Sequence, residues 1–323
     1  MRFHVKCRGF KQISRFYSTK ARTSYLPSIN EKNYLDPWFV TGFSDAEANF
    51  YVRISRKSLA LAGWTVEPVF AIRLHNKDLN VLYLIQKFFD VGRVYNHVEI
   101  EEATFRVGSI KDLDVIIKHF EMYPLLTQKL SDFILFKKVF EIMKLKEHLN
   151  IEGILKIANI KASMNTKLGE IDIPNIVPVS LPSLPLVTVR DISPYWLAGF
   201  TSGDGCFSVS VIKSKAKLGE TSWIRFILTQ HNRDENLMKV IAAYLGCGKI
   251  NKDSKATYLV VQRLLDIIKT IIPLFDKHQI EGSKVKDYID FKKVAYLMEK
   301  KAHLTKEGLG EIREIKNGMN KKR

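Results

Sequence analysis

Cysteine is nearly missing. The 323 residues contain Cys7, Cys206 and Cys247 and no others, and none forms a C-x-x-C pair or stands near paired histidines. A disulfide framework and a structural zinc site are therefore excluded as organising features. Long apolar runs are missing as well: candidates such as "LVVQRLLDIIKTIIPLF" are broken by charge short of the roughly 18 to 20 residues that cross a bilayer. No membrane partner is expected. Acidic residues are short in supply, with 34 Asp and Glu against 51 Lys and Arg, a formal charge of +17. That excess biases the chain toward polyanions, nucleic acid first.

Residues 1–30 carry no acid at all and hold Arg2, Lys6, Arg8, Lys11, Arg15, Lys20 and Arg22 among hydroxyl side chains. This is the composition of a mitochondrial presequence, and "RFYS" resembles a site where such peptides are trimmed. A mitochondrial location is expected on that reading. A flexible basic arm lying on nucleic acid backbone has the same composition.

What is present is a repeat. The phrase "WFVTGFSDAEANF" at 38–50 returns as "WLAGFTSGDGCF" at 196–207. "FAIRLHNKDLNVLYLIQKFFDVGRV" (70–94) aligns without a gap on "FILTQHNRDENLMKVIAAYLGCGKI" (226–250), and "FKKV" recurs at 136–139 and 291–294. Two copies of about 110 residues are too few for a solenoid and suggest two lobes about an approximate two-fold axis, a pseudo-dimer in one monomeric chain. The expected division is a lobe at 37–150, a helix plus proline-rich linker at 151–194, and a second lobe at 195–323. The linker's five prolines between 173 and 194 favour an extended tether. Pro37 and Pro194 suit helix starts, and the alternating runs that follow predict two β pairs around a helix in each lobe. The expected class is α+β, with an αββαββα unit and one antiparallel sheet per lobe.

Within the repeated phrase Gly42 and Ala46 stand four apart, as do Gly199 and Gly203, so two such helices can approach backbone to backbone. Asp45 matches Ser202, so both copies do not demand an acid there. Glu47 matches Asp204, and crossing at the small residues would bring these two together. Paired carboxylates at helix C-terminal ends are unfavourable without a cation. A hard divalent ion, Mg²⁺, relieves the repulsion, and metal between carboxylates on a basic protein suggests phosphodiester hydrolysis.

"GFSDAEANF" and "GFTSGDGCF" resemble the double motif of single-chain LAGLIDADG homing endonucleases of the organellar intron-encoded kind. The resemblance runs from Pro37 to the C-terminus. It implies a saddle of two antiparallel sheets on double-stranded DNA, with Glu47 and Asp204 as catalytic metal ligands. It also implies that Ala46 and Gly203 lend backbone carbonyls to the metal. Gln230 matches an active-site polar position whose counterpart here is Leu74, and Lys129 and Lys284 match the basic residue that stabilises charge or orders water. Ala48 replaces the usual glycine after the motif, where a helix end commonly needs a left-handed residue, so a distorted Glu47 centre and slower cutting of one strand are expected.

A strand of about eight residues spans about 26 Å, so two lobes would cover about 16 to 24 base pairs. Candidate DNA contacts are Arg53, Arg56, Lys57, Arg73, Lys213, Lys215, Lys217, Arg225 and Lys249, most of them to phosphate. The leading expectation is a Mg²⁺-dependent site-specific double-strand endonuclease. The alternative is an RNA maturase that binds an intron, and a purely architectural DNA binder is a third; retention of both acids favours the nuclease.

Overall fold

The structure, a computed structural model, describes residues 34–164, 173–215 and 218–320. The basic stretch 1–30 and Lys217 lie outside the described residues. Pro37 opens α1 (Pro37–Glu47), where its missing N–H costs nothing, and Asp36 Oδ1 accepts from the Trp38 N–H at 2.8 Å. The chain continues through β1 (Ala48–Arg56), β2 (Trp64–His75), α2 (Leu79–Phe89), β3 (Arg93–His97), β4 (Glu102–Val107), α3 (Ile110–Met122), α4 (Lys129–Lys144) and α5 (Ile151–Ala162). The second copy repeats the order with α6 (Pro194–Asp204), β5 (Gly205–Lys213), β6 (Glu220–His231), α7 (Glu235–Leu245), β7 (Lys249–Lys252) and β8 (Ala256–Val261). In place of α3 it has α8 (Leu264–Asp266), a π turn (Ile267–Ile271) and α9 (Ile272–Lys277), because Pro273 has no N–H to give and a wider turn absorbs the loss. Helices α10 (Lys284–Glu299) and α11 (Lys306–Asn317) follow.

Each copy builds one four-stranded antiparallel sheet, ordered β1-β2-β4-β3 and β5-β6-β8-β7. Phe50 stands opposite Phe70, and Phe207 opposite Phe226. Strand alternation buries Phe50, Val52 and Ile54 under the helices and leaves Asn49, Tyr51 and Arg53 on the open face. Phe120 and Phe136 complete one aromatic core, and Phe275 and Phe291 the other. Burying each such side chain is worth about 1.5 to 3 kcal/mol, so the core positions the sheets rigidly.

Helices α1 and α6 cross at the small residues, as their spacing predicts. A Cβ on Gly42 would overlap the Trp196 carbonyl, and one on Gly199 the Phe39 carbonyl. The reciprocity marks an approximate two-fold axis. α5 buries Ile154, Ile157 and Ala158 and packs on α4 and β1. The proline-rich segment is less free than a tether at 177–179: the Val177 N–H donates to Asn159 Oδ1 at 2.8 Å and Ser163 Oγ to the Val179 carbonyl at 2.6 Å, pinning these residues along α5.

The expected distortion at Ala48 is not found. Both helix ends pass directly into strands with extended backbone, φ −79° at Ala48 and −80° at Gly205, which any residue adopts. Gly205 is needed for space instead: a Cβ there would stand 2.5 Å from the Thr201 methyl carbon, while the first copy has the smaller Ser44.

Candidate active site

Each motif helix ends on its acid, Glu47 on α1 and Asp204 on α6. The crossing brings these ends side by side, and the Cβ that Gly203 lacks would lie 3.0 Å from Glu47 Cγ and 3.2 Å from Glu47 Oε1. Both carboxyls are half-buried. Burial, followed by the Glu47 charge, pushes Asp204 up to about 6. Burial also raises Glu47, with Lys284 and Lys129 pulling back.

The lysines come to the same place from the starts of α4 and α10. Lys129 Nζ donates to the Ser44 carbonyl at 2.9 Å and the Ala46 carbonyl at 3.3 Å. Lys284 Nζ donates to the Ser202 carbonyl at 3.0 Å and to that of Gly203. Burial lowers both lysine pKa values, and the surrounding carboxylates oppose it. The two carbonyls expected at a metal thus face an ammonium group as well.

Two cavities flank the crossing, and each is composite. One of about 310 Å³ joins Glu47, Leu74 and Asp78 of the first copy to Ser202, Glu281 and Lys284 of the second. The other, about 530 Å³, joins Asp204, Gln230 and Asp234 of the second copy to Asp45, Ala46 and Lys129 of the first. So each acid shares its cavity with the lysine of the opposite copy, which sequence alignment did not indicate. The cavities differ in one respect the repeat did foretell. Gln230 Nε2 donates to Asp204 Oδ2 and orients that carboxylate, whereas Leu74 offers Glu47 no hydrogen bond.

Asp45 has a different task. It is buried and accepts from the N–H groups of Leu126 (2.9 Å) and Thr127 (3.1 Å), from Thr127 Oγ1 (2.6 Å) and from Trp196 Nε1 (2.8 Å) on α6. Its counterpart Ser202 accepts from the Glu281 N–H at 3.0 Å and donates to the Ala198 carbonyl at 2.9 Å. An acid is therefore required in the first copy as a strut between helices.

Register sorts the other candidates. Arg53, Arg73, Arg225 and Lys249 lie on the open faces. Arg56 and Lys213 have the parity of the helix-covered face and escape burial only at strand ends, while Lys57 and Lys215 sit in turns. Arg93 and Arg106, cross-strand partners on the open face, were missed; their alternation with Val94 and Val107 was the available signal.

Among the described residues, no group of three or more His, Cys, Asp or Glu could hold a metal alone. Two adjacent carboxylates with neighbouring carbonyls nevertheless fit a hard divalent ion of the Mg²⁺ kind, which takes few protein oxygens and completes its shell with water and phosphate.

The family model for LAGLIDADG endonuclease matches residues 40–140 and 197–295. "Probable intron-encoded endonuclease 2" of Neurospora crassa is 38% identical over 303 residues, covering 88% of this chain. This chain spans 65% of that relative's length. A 50.9 kDa protein in ND4 intron 1 of Podospora anserina is 44% identical over 147 residues, 45% of this chain and 31% of that one. Among solved structures, I-SmaMI bound to an uncleaved DNA target in the presence of calcium ions superposes with a TM-score of 0.85 at 42% identity, covering 89% of this chain and 99% of that one. The doubled helix crossing, its paired acids and these matches define one class: a two-lobed LAGLIDADG protein. The chain belongs to the LAGLIDADG endonuclease family.

Proposed function

We propose that this chain is a homing endonuclease that cuts both strands of a long, asymmetric DNA site. The observation that carries this reading is the pair of composite cavities, each with an acid from one lobe and a lysine from the other, beside two open sheet faces that carry basic side chains. In this reading residues 37–150 and 195–323 act as the two half-site readers, and the chain works as a monomer. Arg53, Arg73, Arg93, Arg106, Arg225 and Lys249 contact DNA on the sheet faces, with Arg56, Lys57, Lys213 and Lys215 reaching phosphate from the strand ends and turns.

Glu47 and Asp204 supply the anionic oxygens that hold Mg²⁺, with the Ala46 and Gly203 carbonyls beside them. When bound, the ion polarises a phosphate oxygen and lowers the pKa of water. The chain's own groups do the rest. Gln230 fixes one carboxylate, and Lys129 and Lys284 present positive charge where the phosphorane charge grows. Burial keeps the two acids' proton affinity high, which an incoming cation reverses. The ND4 intron relative and the composition of residues 1–30 support work in mitochondria.

The test is cleavage of a randomised duplex library by the full chain, with Mg²⁺ and with EDTA, and sequencing of the ends. One asymmetric site cut only with Mg²⁺ is expected. Folded protein that retains RNA but cuts no duplex would replace this reading with the maturase.

A further inference from the structure

Asp78 and Asp234 end the repeated "HNKD" and "HNRD" phrases. Each occupies the N-cap position of its own helix, α2 or α7, where an aspartate ordinarily accepts from that helix's free N–H groups. Neither does so. Asp234 Oδ1 accepts from the Gln128 N–H at 2.7 Å, and Asp78 Oδ1 accepts from the Ser283 N–H at 2.5 Å, with Ser283 Oγ donating to Asp78 Oδ2 at 3.2 Å. Gln128 and Ser283 are the N-caps of α4 and α10 and cap those helices with no side chain of their own. Each aspartate therefore caps a helix of the other lobe.

The next residue in each case is the lysine. Lys129 follows Gln128 and Lys284 follows Ser283, and each projects into the cavity of the lobe whose aspartate holds its backbone. The approach is built for closeness. In both phrases a histidine Nδ1 accepts from the N–H two residues on, at 3.2 Å, which tightens the turn before the aspartate. On the far side Gly282, at φ +82°, leaves open a position where a Cβ would lie 2.7 Å from Asp78 Oδ1. A carboxylate on helix N–H groups is charge-assisted and favoured by the helix dipole.

We propose that Asp78 and Asp234 are positioning residues that assemble the two composite centres, Asp78 docking Lys284 beside Glu47 and Asp234 docking Lys129 beside Asp204. The kinetic part of this rests on the endonuclease reading; the structural part does not.

The test uses Asp78→Ala and Asp234→Ala in the full chain, with Asp→Asn at each site as the conservative variant, since an amide oxygen still accepts the N–H. Hydrogen exchange without DNA reads the clasp directly. Asp234→Ala should lose about tenfold or more protection at 126–131 in the opposite lobe, and Asp78→Ala at 281–286, with Asn keeping most of it. Strand-resolved single-turnover cleavage reads the consequence. Asp234→Ala should slow the same strand as Lys129→Ala, and Asp78→Ala the same strand as Lys284→Ala, by about ten- to a hundredfold. DNA affinity should stay within about threefold, and Asn should restore the rate. Loosening confined to the mutated lobe, equal slowing of both strands, or Asn as poor as Ala would each overturn the proposal. If the parent cuts no DNA, the exchange result still decides whether the clasp exists.

Discussion

The two open sheet faces share a backbone and differ in chemistry. On the first, Arg53 and Arg106 both engage Glu67, the former at 3.6 Å, and Arg73 pairs with Glu102 at 3.4 Å. On the second, Ser208, Ser210, Thr229 and Tyr258 share the open face with Arg225, which stands opposite Ser208 and whose guanidinium stacks on Trp223 at 3.8 Å from the ring centroid. The first face already balances much of its positive charge internally, and a phosphate or base must compete for it. The second presents mostly neutral hydrogen-bonding groups, with Arg225 held against Trp223 and Lys249 near the sheet edge. The two copies thus agree in their paired acids and lysines and diverge on their outward faces, which suits the asymmetric target proposed above.

The largest expected effect falls where the lobes are most alike. Glu47→Gln or Asp204→Asn should each reduce double-strand cleavage by on the order of a thousandfold with DNA binding retained. Equal loss of binding in a filter assay would show the acids to be structural. Next comes the difference between the centres. Gln230→Leu makes the second centre resemble the first and should slow cutting of one strand by about ten- to a hundredfold, the cost of a hydrogen bond to a charged group. An unchanged strand ratio in a nicking assay would remove Gln230 from the centre.

A third contrast is in the cores. His119 is buried and its counterpart in the alignment is Leu274. Burial depresses His119 to about 3, while the unfolded chain takes up the proton near 6.5. Stability is therefore full above about 6.5 and declines as pH falls toward 3, by about 1.4 kcal/mol per unit. His119→Leu should recover about 2 kcal/mol of that loss at pH 5 relative to pH 7.5. Parallel denaturant curves for variant and parent at the two pH values would refute this. Smallest is Glu67→Ala, which frees Arg53 and Arg106. It should tighten DNA binding by a few-fold and steepen its salt dependence by about one to two; an unaltered slope in a salt titration would mean the arginines never reach phosphate.

The sequence by itself determined the repeat, the α+β units, the helix crossing and the pairing of Glu47 with Asp204. These follow from periodicity, from small residues four apart, and from using each copy as the other's alignment. Only the tertiary structure decided which lysine shares a cavity with which acid, that Asp45 is a strut to Trp196, that Asp78 and Asp234 cap helices across the axis, and that Ala48 is unstrained. The physical reason is common to all four. Alignment compares equivalent positions within each copy, whereas these features depend on where a helix start lands once the copies have packed together or, for Ala48, on the backbone angle the chain adopts as α1 runs into β1.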